Sequence, residues 1–175
     1  MLIQWKNNRP GPFFQRKIWA DKTGISIIEI LIVIAIVIIG LTSLLGVATF
    51  SLKLSILRKE TARANSLAQE AIEAVRSFRD GTDWNTNGLG TLTAGINYRP
   101  ERTIDTPPQW DLIMGQETID IFTRKIVFSN VQRDANDDIV ESGGTNDPDT
   151  KKITVTVSWK DKKIEIVTYL TNWQQ

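Results

Sequence analysis

The sequence predicts an α+β protein in which a long N-terminal helix packs its second half across a small antiparallel sheet. Three observations carry the prediction. Residues 25–48 form an apolar run, apolar residues recur at spacings of 3 and 4 through Phe78, and residues 152–160 alternate strictly between apolar and polar.

The first run reads ISIIEILIVIAIVIIGLTSLLGVA, and residues 30–41 carry no polar side chain. At 24 residues it is long enough to cross a bilayer, which takes about 20. It is too long for the apolar core of a secretory signal, about 7–15 residues. The 24 residues before it hold Lys6, Arg9, Arg16, Lys17 and Lys22 against Asp21 alone, a net of +4. The rest of the chain has 16 basic and 19 acidic residues, a net of −3, so the formal +1 averages unlike parts. Positive charge held in the cytoplasm ahead of the span predicts an N-in, C-out orientation. Glu29 is the one charge inside the run. A carboxylate at mid-membrane costs on the order of 2.5–3.5 kcal/mol, less near the interface, and such groups are usually paired.

The helix is expected to continue from Phe50 to Arg79. Leu57, Ala64, Leu67, Ala68, Ala71, Ile72, Val75 and Phe78 fall on one face, with charged and polar residues filling the rest. Asp80 and Gly81 end it, with Arg76 and Arg79 well placed against the helix dipole in the last turn. As one helix, residues 25–79 would measure about 80 Å.

Residues 82–95, rich in Gly, Asn and Thr, read as a loop. Strands are expected at residues 96–99, 110–113 and 120–128, and as a hairpin at 152–160 and 163–171. In the first hairpin strand Ile153, Val155, Val157 and Trp159 alternate with Thr154, Thr156 and Ser158. Lys160, Asp161 and Lys162 supply the turn. Residues 136–150 are polar and read as a mobile connection. Trp159 is expected in the core, and Trp84, Trp110 and Trp173 partly exposed at subunit contacts or adhesive surfaces.

The chain has no cysteine and no histidine. It therefore has no disulfide framework, no thiolate metal site and no Ser-His or Cys-His nucleophile pair. An enzyme would have to use a Ser-Lys or paired-carboxylate site, and no spacing singles one out. No catalytic residue and no cofactor is expected.

Lys22, Thr23 and Gly24, followed by Ile25, Ser26, Ile27, Ile28 and Glu29 and an aliphatic run, resemble the processing site of type IV prepilins. The resemblance covers about the first 50 residues. It implies that prepilin peptidase cuts between Gly24 and Ile25 and methylates the new amine at Ile25. It also implies that Glu29, fifth from that terminus, serves assembly. Two departures stand out: the family's usual first mature residue is Phe, and a helix-kinking proline of many major pilins falls here on Gly46. Residues 67–76 resemble the matching helix of minor pilins and pseudopilins.

The implied organisation is a leader at 1–24, a transmembrane and assembly helix at 25–48, an amphipathic stalk at 49–80, and a β-rich pilin-like extracellular domain at 81–175. The implied function is a structural subunit, of the minor class, in a type IV pilus. The implied partners are other pilin subunits, prepilin peptidase, the assembly platform with its ATPase, and the membrane. Glu29 would then neutralise the amine of a neighbouring subunit's Ile25 where little water screens the pair. Such a pair penalises wrong registers even where it adds little net stability. A type II secretion or competence pseudopilin shares these arguments. A membrane-anchored binding domain that never polymerises would keep its leader.

Asp134, Asn136 and Asp138 loosely follow the start of a calcium loop, but Ile139 and Thr145 stand where Gly and Glu are required, which favours acidic turn chemistry. Lys151, Lys152, Lys160, Lys162 and Lys163 gather around the hairpin. The acidic balance of residues 25–175 favours a solvated, aggregation-resistant edge over a nucleic-acid surface.

Overall fold

The computed structural model describes residues 24–173; the leader, except Gly24, lies outside them. One α-helix, α1, spans Ile27–Gly81, a 3-10 turn follows at Leu89–Thr91, and seven strands come after it: β1 (Asn97–Arg102), β2 (Trp110–Met114), β3 (Glu117–Ile119), β4 (Phe122–Arg133), β5 (Ile139–Val140), β6 (Thr145–Trp159) and β7 (Lys162–Thr171). All pairings are antiparallel. The sheet order is β2-β1-β4-β6-β7, with β3 and β5 also pairing on β4. The fold is α+β, with one long N-terminal helix packed against an antiparallel sheet. The chain divides into two compact units, one ending at Thr49 and one beginning at Phe50.

Within the second unit, the residues that recur at helical spacing are the ones that pack. Ala64, Leu67, Ala68, Ala71, Ile72, Val75 and Phe78 are buried, joined by Ala74, and Leu57 is half-buried. Alanines at four of these positions let the helix backbone lie close to the sheet, while Leu67, Val75 and Phe78 interdigitate with it. Opposite them stand Phe122, Ile126 and Phe128 of β4, Ile153, Val155, Val157 and Trp159 of β6, Tyr98 of β1 and Leu170 of β7. Tyr98 meets Phe128 edge-on at 5.3 Å, and Phe122 lies 5.6 Å from Trp159. Each large apolar side chain so buried contributes about 1.5–3 kcal/mol of transfer free energy.

The β6–β7 hairpin forms as expected, with a tighter turn. Lys160 and Asp161 alone connect the strands, and Lys160 takes a φ of 50°, the left-handed conformation that two-residue hairpin loops demand. Pro100 explains why β1 leaves β4 early. It lacks the N–H that a central strand needs; β1 pairs with β4 only at Asn97 and Tyr98, and β3 occupies the edge of β4 from Phe122 to Arg124.

Two expectations need correction. Residues 136–150 are not one mobile connection: they contain β5 and the first part of β6, with Thr145, Asn146 and Asp147 registered on Arg133, Gln132 and Val131. The polar composition misled because an ion pair holds the segment, Arg133 Nε to Asp147 Oδ2 at 2.7 Å. The register shifts between Asn130 and Val131, leaving residues 148–150 bulged on β6. The bulge's carbonyls are satisfied from elsewhere: Trp84 Nε1 donates to Pro148 O at 3.1 Å and Asn172 N to Asp149 O at 2.8 Å. That bond also explains the second correction, since Trp84 is buried rather than partly exposed. Gly90 packs so tightly beneath it that a Cβ there would sit 2.7 Å from Trp84 Cδ1.

Two polar links fasten the helix to the sheet. Arg124, buried on the core face of β4, donates from Nε to Glu117 Oε1 at 2.6 Å and from an NH1 group to the Leu67 carbonyl at 2.8 Å, with Glu70 at 3.5 Å. At the other end Glu60 accepts from Trp159 Nε1 at 3.2 Å and from the Lys160 ammonium. The Lys160 ammonium, chiefly, and the Trp159 indole hold the Glu60 carboxyl below its ordinary value, against a smaller opposing effect of burial.

Arg124→Met is expected to lower stability by about 2–4 kcal/mol in urea unfolding of the detergent-solubilised chain, because it strands Glu117 and the Leu67 carbonyl. Arg124→Met combined with Glu117→Met should recover part of that loss. Glu60, with its depressed pKa, contributes stability above its unfolded value of 4.5 that disappears as pH falls through the lower folded value. Glu60→Gln should therefore lower the melting temperature at neutral pH and flatten its decline below about pH 4.5.

Candidate functional site

The residues singled out by the resemblance to a processing site stand at the start of α1. Gly24, Ile25 and Ser26 precede the helix, and Ile25 is 71% exposed. The first backbone acceptor of the helix is the Ser26 carbonyl, which receives the N–H of Glu29 at 3.0 Å and of Ile30 at 3.3 Å. Glu29 thus lies in the first turn, where a carboxylate is favoured by the helix dipole. No ion pair among the described residues includes Glu29.

From residue 24 to residue 53 every residue is exposed. The helix is long and apolar enough to cross a membrane. Three of its hydroxyls bond back onto the helix: Thr42 Oγ1 donates to the Ile38 and Ile39 carbonyls at 3.0 Å, Ser43 Oγ to Ile39 O at 2.8 Å and Thr49 Oγ1 to Gly46 O at 2.9 Å. A hydroxyl bonded back onto its own helix presents no free donor to hydrocarbon. The helix runs unbroken through Gly46. Hydropathy alone did not reveal this self-satisfaction, although the spacing of each hydroxyl to a carbonyl three or four residues back was there to be read.

Asp134, Asn136 and Asp138 lie together in the turn between β4 and β5. The Asp134 carboxylate accepts from the amides of Asn136 at 2.9 Å and Asp138 at 3.0 Å. Asp134 N donates to Asp138 O at 3.0 Å, and Asp137 takes a φ of 69°. Arg133 closes the turn from outside by donating to the Asp137 carbonyl at 2.8 Å. This is a carboxylate organising its own backbone. Asp83 does the same for Asn85 and Thr86, and those donors, Thr86 foremost, hold its carboxyl below the usual range.

The basic residues of the hairpin do not form one patch. Lys151 is buried and donates to Asn130 Oδ1 at 2.8 Å, and burial pushes its pKa down. Lys152, next along the strand, faces the opposite side of the sheet. Lys160 is held by Glu60, and Lys163 lies 3.9 Å from Glu165. Among the tryptophans, Trp159 is buried, Trp110 is half-buried beneath the Arg102 guanidinium at 4.5 Å, and Trp173 is exposed. The residues that sequence reasoning missed are Arg124, Arg133 and Glu60. Each is an ordinary charged residue in its local pattern, and only the pairing partners reveal its place.

Because the Asp134 carboxylate is already committed to two amides, millimolar calcium is expected to leave the melting temperature of the detergent-solubilised chain unchanged. Asp134→Ala should lower it, by the equivalent of about 1 kcal/mol, as the turn loses its acceptor.

Compared with family models, with curated proteins and with solved structures, the chain gave no match. What the site can do is therefore argued from its own chemistry.

Proposed function

We propose that this chain is a structural subunit, of the minor class, in a type IV pilus or a related filament. It is cut after Gly24 by prepilin peptidase, methylated at Ile25 and assembled through its N-terminal helix. The observation that carries the reading is an uncovered apolar helix, fused without a break to a helix that packs on an antiparallel sheet, with the lone carboxylate of Glu29 in its first turn. An anchor alone needs the apolar length. It does not need an intramembrane carboxylate four residues from an exposed glycyl bond.

In this reading the leader stays in the cytoplasm and the β-rich domain lies outside the membrane. Cleavage creates an ammonium group at Ile25, and the Glu29 carboxylate of an adjacent subunit meets it. Inside a helical bundle the pair is little screened, so it sets the axial stagger. Apolar burial is similar in the bilayer and in the bundle. Moving the helix from one to the other therefore takes an energy-driven assembly platform and its ATPase. A secretion or competence pseudopilin would use the same chemistry on a shorter filament.

Native material is expected to begin at N-methylated Ile25, read by N-terminal sequencing or intact mass. Glu29→Ala should still insert in the membrane but be missing from sheared filaments. A chain that retains Met1 would instead be a non-polymerising anchored domain, and normal incorporation of the Glu29→Ala variant would sink the assembly role.

A further inference from the structure

A cleft lies where the register between β4 and β6 shifts, at Asn130 and Val131. On one side stands the cross-strand row Ser129, Lys152 and Tyr169, contributed by β4, β6 and β7. On the other stand Ile139 and Val140 of β5, with Glu141 next to them. The cavity between them holds about 330 Å³, at the lower end of the range for small-molecule pockets, about 300–1,000 Å³. Its β5 side is held from both ends. Asp134 organises the turn before β5, and after it Gly144 N donates to Gln132 Oε1 at 3.2 Å. Gly144 is packed so closely that a Cβ there would come 2.5 Å from the Arg133 carbonyl oxygen.

The lining carries one cation and one anion, Lys152 and Glu141, and no ion pair among the described residues includes either. In a second cavity, by contrast, Arg133 and Asp147 are paired to each other at 2.7 Å. Beside the two charges, Tyr169 and Ile139 leave 43% and 44% of their surface uncovered. We propose that this cleft binds a small zwitterion, a free α-amino acid with an apolar side chain. Lys152 takes the carboxylate, Glu141 takes the ammonium group, and the side chain lies against Tyr169, Ile139 and Val140. The argument is charge balance in a confined space. A simple anion that met Lys152 would be repelled by Glu141, and a simple cation would meet the reverse, whereas a zwitterion makes a charge-assisted hydrogen bond at each end. Such a site is independent of how the chain assembles, so its failure would leave the filament reading untouched.

The test titrates the labelled full chain in detergent and follows the amide signals of Ser129, Lys152 and Tyr169 by NMR. The probes are L-phenylalanine, 3-phenylpropanoate, which lacks the ammonium group, and phenethylamine, which lacks the carboxylate. Phenylalanine is expected to bind with about millimolar affinity, ordinary for a ligand of its size, and each analogue about tenfold more weakly. The variants carry the assignment. In Glu141→Gln the preference for phenylalanine over 3-phenylpropanoate should vanish, and in Lys152→Met the preference over phenethylamine should vanish, each with the other preference kept. A loss of folding would not mimic that crossed pattern, and either variant alone suffices to read half of it. The proposal falls if phenylalanine at about ten times the expected constant moves none of the three signals. It falls equally if an analogue binds as tightly as phenylalanine, if both preferences survive in both variants, or if glucuronate, an acidic sugar, binds more tightly.

Discussion

Residues 27–50 of α1 present an apolar surface that nothing else in the described chain covers, whereas from Ala64 onward the same helix is the centre of the core. One element therefore has to be buried twice, against two different surroundings. The second burial is supplied by the sheet; under the proposed function the first comes from lipid and then from other helices. Most of the molecule's features follow from meeting both demands with one unbroken stretch of backbone.

On the sheet side, small residues carry much of the fit. Ala64, Ala68, Ala71 and Ala74 bring the helix close, and two polar links stop it sliding. Arg124 reaches from β4 to a mid-helix carbonyl, and Glu60 holds the β6–β7 turn. Apolar contacts alone would allow the helix to shift along its axis by a turn at modest loss, because alanines repeat along the buried face. A guanidinium that must meet both Glu117 and the Leu67 carbonyl does not tolerate that shift. Specificity of register is the best use of a charge in such a place.

Under the proposed function, the demands on the other side are those of hydrocarbon. The hydroxyls of Thr42, Ser43 and Thr49 are turned back onto their own helix, and no ion pair among the described residues includes Glu29. A carboxylate placed there is tolerated when a cation is delivered to it, and under the proposed function hydrolysis of the nearby glycyl bond would deliver one. Cleavage and assembly are chemically joined in this reading, since the first creates the charge that the second uses.

The sequence by itself determined the elements whose periodicity is strong. The apolar run is long and apolar enough to cross a membrane. The buried face of the helix from Ala64 to Phe78 was legible residue by residue, and so was the alternation of β6 from Ile153 to Trp159. The candidate site is proposed from the sequence because it is local: Gly24, Ile25 and Glu29 are close in sequence, and the structure adds that Gly24 and Ile25 precede the helix and Glu29 lies in its first turn. Tertiary structure decided whatever depends on partners far along the chain. The polar stretch at 145–147 became strand because Arg133 meets Asp147, and Trp84 was buried because a bulge on β6 offered its indole a carbonyl. Arg124 was indistinguishable from a surface arginine until Glu117 and Leu67 were brought to it. Periodicity reports which way a side chain faces, but not what waits on that side.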